Sequence, residues 1–196
     1  MTKLEAALLD VAAFLEEQRV PYMVIGGVAN LHWGAERFTR DIDIAIEIAD
    51  DALDGLIRSL EARFTLAVSD PLAFARRNHL IRLLTRTGVD VDLILAVIPY
   101  ELAAIRRAVS LEISGKAVKI CTAEDLIVHK LASERPQDAV DVEGVVLRQA
   151  GRLDLDSLWP RVRELAAGLE RPAIIDLLST SLAKAGARGE PEAGDG

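Results

Sequence analysis

The residues most able to do chemistry are four aspartates that occur as two pairs. Asp41 and Asp43 stand in the segment RDIDIAIE, and Asp90 and Asp92 stand in VDVDLIL. In both segments acidic and aliphatic residues alternate, as on a β-strand, so the carboxylates of each pair project from one face roughly 7 Å apart. Side chains placed in this way can converge on one cation. Without a cation they repel each other, and the pKa of each carboxyl rises.

Two interpretations of Asp41 and Asp43 are open at this point. The first is a site for Mg²⁺, which binds carboxylate oxygens. The second is the solvated face of an edge strand, with Arg37 or Arg40 as the ion-pair partner. The second pair of aspartates favours a cation site, because aspartate is a poor strand former and two aliphatic strands of this chain carry it.

A glycine pair precedes the first aspartates. The apolar run 22–25 predicts a strand, Gly26 and Gly27 predict a turn, and residues 28–34 predict a short helix. Backbone that lacks side chains at a helix N-terminus exposes N–H groups that can bind phosphate oxygens. The sequence therefore predicts a phosphate site next to the cation site.

Together these motifs resemble a known family. GGVANLHWGAERFTRDIDIAI followed by GVDVDLIL resembles the glycine motif, the Asp-x-Asp motif and the third aspartate of polymerase-β-superfamily nucleotidyltransferases. The likeness is closest to the minimal bacterial branch that includes the AbiEii-type toxins. TAEDLIVHKLASERPQDAVDVEGV resembles the helical motif of that branch, and the whole resemblance covers about residues 20 to 150.

The resemblance implies an Mg²⁺-dependent enzyme that transfers a nucleoside monophosphate from an NTP such as ATP to a hydroxyl group. The acceptor would be an RNA end such as that of tRNA, a protein or a small molecule. Within the toxin branch it also implies the toxin of a toxin–antitoxin pair, with a cognate antitoxin as partner. The alternatives are a non-catalytic nucleotide- or partner-binding module on the same fold, and an acidic scaffold with no nucleotide role.

The resemblance also assigns roles to individual positions, although the serine that many members have after the first glycine is Gly27 here. It makes the glycine pair triphosphate-binding, with Arg40 also placed at the nucleotide. The carboxylates that it makes both catalytic and metal-binding are Asp41, Asp43 and Asp92, with Asp90 as the alternative third member. In the helical half of the cleft it implies that Lys130, Arg135 and Asp138 or Asp141 contact the nucleotide. The alternative interpretation is that these residues are solvated charges on the helix surface.

Hydrophobic periodicity and capping residues predict the surrounding elements. Helices are predicted at 3–19, 51–60, 99–109, 122–133, 136–150, 156–167 and 172–185, and further strands at 79–85 and 89–97, with a hairpin over 111–120. The predicted fold is therefore α/β of the α+β kind, a mixed nucleotidyltransferase sheet flanked by helices and followed by a C-terminal helical part. The predicted division is a catalytic domain at 1–120, a helical region at 121–185 and a disordered tail at 186–196.

Composition excludes several other classes of protein. A formal charge of −8 and a pI near 5.0 argue against a broad basic face for nucleic acid. A single cysteine, Cys121, excludes an internal disulfide and lacks the companions of a zinc site. No apolar run reaches the ~20 residues of a membrane span, and the N-terminus is charged and helical, so we expect a cytoplasmic protein that does not bind membranes.

Overall fold

A computed structural model describes residues 1–186. In it the chain divides into two compact units. The sheet unit contains Met1–Val28 and Phe38–Thr122, and the helical unit contains Ala29–Arg37 and the described residues from Ala123 onward. The helical unit thus takes a segment, 29–37, that the predicted division kept with the sheet. Residues 187–196, nearly all of the predicted tail, lie outside the described part of the chain.

The sheet unit is organised around a mixed sheet. In the described chain its seven strands are β1 Tyr22–Ile25, β2 Asp41–Ile46, β3 Thr65–Leu66, β4 Leu80–Leu84, β5 Asp90–Leu95, β6 Val109–Ile113 and β7 Lys116–Ile120. Their spatial order is β3-β4-β5-β2-β1-β7-β6. The pairs β2–β5 and β1–β7 are parallel and the remaining pairs are antiparallel. The mixed sheet that the sequence predicted is confirmed.

The helices of this unit form where apolar residues recur at helical spacing, and in two of them polar residues satisfy the first turn. They are α1 Lys3–Glu17, α3 Leu53–Glu61, α4 Pro71–Asn78 and α5 Pro99–Arg107, and α2 Gly26–Trp33 begins in this unit. In α1 a capping box joins Thr2 and Glu5. Asp70 caps α4 by accepting from the Ala73 N–H, and Pro71 occupies the first turn.

One face of the central strands is fully apolar, and this is what fixes their register. Ile42, Ile44 and Ile46 of β2 are 0 % exposed, and Val91 and Leu93 of β5 are 0 % exposed as well. A slip of one residue would turn all of these side chains to the other face, which carries the aspartates. The hydrophobic effect therefore aligns the aspartates with one another as a consequence of burying the aliphatic face.

The helical unit has its own core. Besides the end of α2 it contains α6 Ala123–Ala132, α7 Pro136–Arg148, α8 Leu155–Gly168 and α9 Ala173–Lys184. Gly144 of α7 lets the chain approach closely, because a Cβ there would lie 3.2 Å from the Ala35 backbone nitrogen. The core side chains that are 0 % exposed include Leu126, Ile127, Val142, Val145, Val146, Leu158, Val162, Leu178 and Leu182.

Differences from the predicted elements have local causes. The strand β3 and the helix α4 were not predicted, since β3 has two residues and α4 has a weak apolar stripe. The N-cap of α8 is Asp154, which accepts from the Ser157 N–H, instead of the predicted Asp156 or Ser157. None of the helices within residues 1–186 is long and apolar enough to cross a membrane.

Candidate active site

The strand register brings the two aspartate pairs onto neighbouring parallel strands. Asp41 pairs with Asp90 and Asp43 pairs with Asp92 across β2 and β5. Paired residues of adjacent strands project from the same face about 4.8 Å apart. The four carboxylates therefore share one face of the sheet unit. Asp41 and Asp90 are exposed, whereas Asp43 and Asp92 are half-buried.

Gly26 has a steric reason to be glycine. It follows β1 directly, has a φ of +63°, and opens α2. A Cβ at this position would lie 2.8 Å from the Cγ of Asp43 and would overlap its carboxylate. The backbone of the predicted phosphate turn thus approaches one of the predicted metal ligands without an intervening side chain. Only glycine permits both the left-handed backbone and this approach.

Gly27 is matched to a different side chain, that of Thr39. A Cβ on Gly27 would lie 2.9 Å from the Thr39 Cβ and would overlap its hydroxyl oxygen. The Thr39 hydroxyl in turn donates to the Asp41 carboxylate, 3.2 Å away. A hydroxyl therefore stands beside the glycine turn although Gly27 itself has none. Sequence reasoning missed Thr39, because its contact with Gly27 depends on how the loop after α2 returns to the sheet.

Asp92 has an ion-pair partner on the next strand. Arg82 of β4 is its antiparallel neighbour, and the Arg82 Nε lies 3.3 Å from Asp92 Oδ1. Burial raises the pKa of the Asp92 carboxyl, Arg82 lowers it, and the charges of Asp41 and Asp90 raise it again. The net pKa is above the ordinary value. The sequence did not predict that this arginine pairs with Asp92, although the predicted strands 79–85 and 89–97 place both residues in one hairpin.

The two arginines considered as ion-pair partners of the strand aspartates make other contacts as well. Arg37 belongs to the helical unit and makes a two-pronged ion pair with Asp141, at 3.0 to 3.2 Å. Arg40, one residue before Asp41, is exposed, and its guanidinium lies 5.3 Å from the centre of the Phe38 ring. Arg82 pairs with one aspartate of the acidic face, Asp92.

The predicted residues of the helical motif form a buried charge network inside the helical unit. Lys130 is 5 % exposed, and its ammonium lies 2.5 Å from Asp138 and 2.8 Å from Asp141. Arg135 donates to the second oxygen of Asp138 at 2.6 Å, and Arg37 holds Asp141 from the loop after α2. Both aspartates are 2–3 % exposed. The interpretation of these residues as solvated surface charges is therefore wrong for Lys130 and the two aspartates.

This network keeps both aspartates ionised. Burial raises the pKa of Asp138, but hydrogen bonds from Lys130, Ser133 and Arg135 outweigh burial and the net pKa falls below 3.8. Burial likewise raises the pKa of Asp141, and Lys130, Gln137 and Arg37 outweigh it. A nucleotide phosphate that engaged Lys130 would have to replace two carboxylates that already neutralise it. The assignment of Lys130, Arg135 and Asp138 to the nucleotide stays a prediction.

The acidic face fits a magnesium ion only in part. In residues 1–186 no group of three or more His, Cys, Asp or Glu side chains is arranged to hold a metal ion by itself. Mg²⁺, however, is usually bound by one or two carboxylates together with substrate phosphates and water, not by a cage made entirely of protein. Asp43 and Asp92 on paired strands supply two carboxylates, and the Asp43 carboxylate lies against the backbone of the glycine turn. The donor set therefore suits an ion that arrives with a nucleotide.

Comparison with protein families identifies the chain. Residues 3–173 match the family described as nucleotidyltransferase of unknown function, DUF6036. The chain belongs to this family. The match includes the glycine pair, both aspartate strands and the Lys130 network. A comparison with curated proteins gave no match.

Solved structures with the same fold are also nucleotidyltransferases by description. An antigenic nucleotidyltransferase-like protein from Paracoccidioides brasiliensis superposes with a TM-score of 0.52 at 19 % identity, over 90 % of this chain and 92 % of that one. The lincosamide antibiotic adenylyltransferase LnuA, bound to lincomycin, gives 0.51 at 16 % identity, over 74 % of this chain and 96 % of that one. At this identity the likeness establishes the nucleotidyltransferase fold and nothing finer.

The contact between Gly27 and Thr39 yields a test of the turn. We expect Gly27→Ala to lower the free energy of unfolding by about 1–3 kcal/mol, because the new Cβ overlaps the Thr39 side chain. Thr39→Gly in the same chain should restore part of that loss, and Thr39→Ala should restore less, because an alanine keeps the Cβ that lies 2.9 Å away. Urea unfolding of the single and double variants measures the coupling. If the two substitutions changed the free energy of unfolding by strictly additive amounts, the predicted clash between position 27 and Thr39 would be refuted.

Removal of Lys130 tests whether the buried network is structural. Lys130→Ala should lower the free energy of unfolding by about 3 kcal/mol, because it leaves two buried carboxylates without their shared cation. Lys184→Ala is the matched control in the same unit, since Lys184 forms an exposed pair with Glu143, and its loss should stay under about 1 kcal/mol. A Lys130→Ala protein as stable as the control would contradict the structural role.

The lowered pKa values of Asp138 and Asp141 predict acid sensitivity. The pKa of each carboxyl is lower in the folded protein than in the unfolded protein, where it is near 3.8. Such a carboxyl contributes its full stabilisation at pH values above the unfolded pKa. The contribution is lost as the pH falls toward the pKa of the folded protein. Unfolding followed from pH 6 to pH 2.5 should show a decline that begins near pH 4. Asp141→Asn should be less stable at pH 6 and should lose less on acidification. Parallel pH profiles of the two proteins would refute the assignment.

Proposed function

We propose that the protein transfers a nucleoside monophosphate from an NTP to a hydroxyl acceptor, with Mg²⁺ held at the acidic face of the sheet unit. The observation that carries this proposal is the register that pairs Asp43 with Asp92 and sets Asp43 against the Gly26 backbone. Membership of a nucleotidyltransferase family supports the reaction class. Carboxylates, a phosphate turn and a helix N-terminus at one place are what this chemistry needs.

The glycine turn would bind the phosphates of the nucleotide. Gly26 and Gly27 present backbone N–H groups at the first turn of α2, where the helix dipole favours negative charge. The Thr39 hydroxyl, which donates to Asp41 in the absence of substrate, is placed to donate to a phosphate oxygen instead. These contacts would orient the α-phosphorus toward the acidic face, and positioning of this kind supplies much of the rate in phosphoryl transfer.

The aspartates would bind the metal ion, and one of them would accept the proton of the acceptor hydroxyl. Asp43 and Asp92 are the proposed ligands, with Asp41 beside them, and the bound ion would neutralise charge on the phosphates and on the departing pyrophosphate. Asp92 would accept the proton of the acceptor hydroxyl as the oxygen–phosphorus bond forms and the bond to pyrophosphate breaks. Asp92 is half-buried whereas Asp90 is exposed, and burial raises the pKa of the Asp92 carboxyl, which suits a base.

Arg82 would have two tasks in this scheme. In the absence of metal its guanidinium offsets the repulsion among the four aspartates by pairing with Asp92. With Asp92 bound to a divalent cation, Arg82, whose side chain is 54 % exposed, would be free to contact the phosphates, which arginine binds well. Through its ion pair with Asp92, Arg82 would position that carboxylate before the nucleotide binds.

The acceptor is proposed as a class only, a hydroxyl group on an RNA end, a protein or a small molecule. LnuA, whose description names a lincosamide antibiotic, justifies including small antibiotics among the acceptors to be tested. Membership of the AbiEii-type toxin branch and pairing with an antitoxin stay predictions. A non-catalytic nucleotide-binding module is the second candidate, and the observation that favours it is the lack, within residues 1–186, of a preformed group of three metal-binding side chains.

Nucleotide binding tests the proposal directly. A ligand at one hundred times its Kd stabilises the folded state by about 2.7 kcal/mol, which corresponds to a rise in Tm of about 5–10 °C for a chain of this size. We expect such a rise with Mg²⁺ and at least one NTP, and its loss on addition of EDTA. Asp43→Asn with Asp92→Asn should abolish the rise. Asp51→Asn, which removes an exposed carboxylate of the same unit, should preserve it.

Turnover separates the enzyme from the non-catalytic module. Release of pyrophosphate from the stabilising NTP, with RNA ends, proteins and small hydroxyl compounds offered in turn, should depend on the two aspartates. Binding without release for any acceptor class would favour the module. No stabilisation of the native protein by any of the four NTPs would refute both candidates.

A further inference from the structure

The loop that leads into β2 carries an aromatic ring in solvent. Phe38 is 77 % exposed. By contrast, Phe14 and Phe64 are buried and pack edge to face at 5.5 Å. Exposure of a phenylalanine forfeits the stabilisation that burial of its ring would give. Phe38 therefore has ring surface that a ligand can cover.

The position of this ring ties it to the proposed nucleotide site. Phe38 is three residues before Asp41, so their Cα atoms lie at most about 11 Å apart. The next residue, Thr39, fills the space in front of Gly27 and donates to Asp41. A nucleotide whose phosphates lie on the glycine turn therefore has its sugar and base within reach of the loop that carries Phe38.

Arg40 completes the arrangement. Its guanidinium lies 5.3 Å from the centre of the Phe38 ring, within the range of a cation–π contact. The contact restrains the ring, so that less side-chain entropy is lost when a ligand stacks on it. The residues that flank Phe38 in the chain, Glu36, Arg37, Thr39 and Arg40, are all polar. This is the composition of a platform for a flat polar ligand and not of an apolar protein interface.

We propose that Phe38 and Arg40 form a stacking platform for the base of the NTP. This inference rests on the proposed function, because it requires phosphates at the glycine turn. Every nucleobase has a π-face, so stacking gives affinity with little choice among bases. The platform predicts that all four NTPs bind, with a modest preference for the larger purine rings.

The test compares a nucleotide with the same phosphates without a base. Calorimetry with Mg²⁺ should show that the wild-type protein binds ATP more tightly than ribose 5-triphosphate. Phe38→Ala should weaken ATP binding about 5- to 150-fold, which corresponds to loss of one base–aromatic stack, and should leave the affinity for ribose 5-triphosphate unchanged. Phe38→Trp should retain ATP affinity, and its added fluorescence should be quenched by ATP and not by the triphosphate without a base.

Controls separate this platform from the proposed function. Val97→Ala removes another exposed apolar side chain of the sheet unit, 54 % exposed, and should leave both affinities unchanged. Wild-type protein that binds both ligands equally would overturn the platform and leave the phosphate site standing. Wild-type protein that binds neither would overturn both. If Phe38→Ala leaves ATP affinity unchanged and impairs only the use of an RNA acceptor, the base of the NTP is not the ligand and the inference is wrong.

Discussion

The pairing of β2 with β5 is the constraint on which the candidate site depends. Apolar side chains such as Ile42, Ile44 and Leu93 bury one face of these strands, and the two-residue period of a strand then turns the aspartates to the other face. The same register places Asp43 opposite Asp92 and beside the end of β1, where Gly26 approaches it. The stability of the sheet and the geometry of the acidic face thus have one origin. A change in the register would remove both together.

Charged side chains are arranged differently in the two units. In the helical unit, Lys130 is enclosed with two carboxylates that arginines also contact, so the charges satisfy one another and hold α6, α7 and the loop after α2 together. On the sheet, four aspartates share one face, and Arg82 pairs with Asp92 among them. A buried network with matched charges serves structure, whereas carboxylates gathered on one face repel one another, and a bound cation would reduce that repulsion. The acidic face is therefore the stronger candidate for chemistry.

Local patterns predicted the elements, and long-range contacts decided the details of the site. Alternation of acidic and aliphatic residues was enough to predict β2, β5 and the shared face of Asp41 and Asp43, because strand geometry depends on neighbours in the chain. The contacts of Thr39 with Gly27 and of Arg37 with Asp141 join positions separated by a loop or by most of the chain. Nothing local in the sequence encodes them. The assignment of 29–37 to the helical unit has the same cause, since only packing against α7 reveals it.

Placement of Asp43 and Asp92 also explains how a site can lack a complete set of metal ligands and still suit magnesium. Three carboxylates fixed around one point would repel strongly in the free protein, and each would be driven toward protonation. Here Asp41 is exposed to water and bonded to Thr39, Asp92 is paired with Arg82, and Asp43 lies against the glycine turn. The repulsion is thereby reduced while no nucleotide is bound. In the proposed reaction, an Mg²⁺ ion that brings phosphate oxygens as its own ligands would need only the two paired carboxylates from the protein, so metal binding would depend on nucleotide binding.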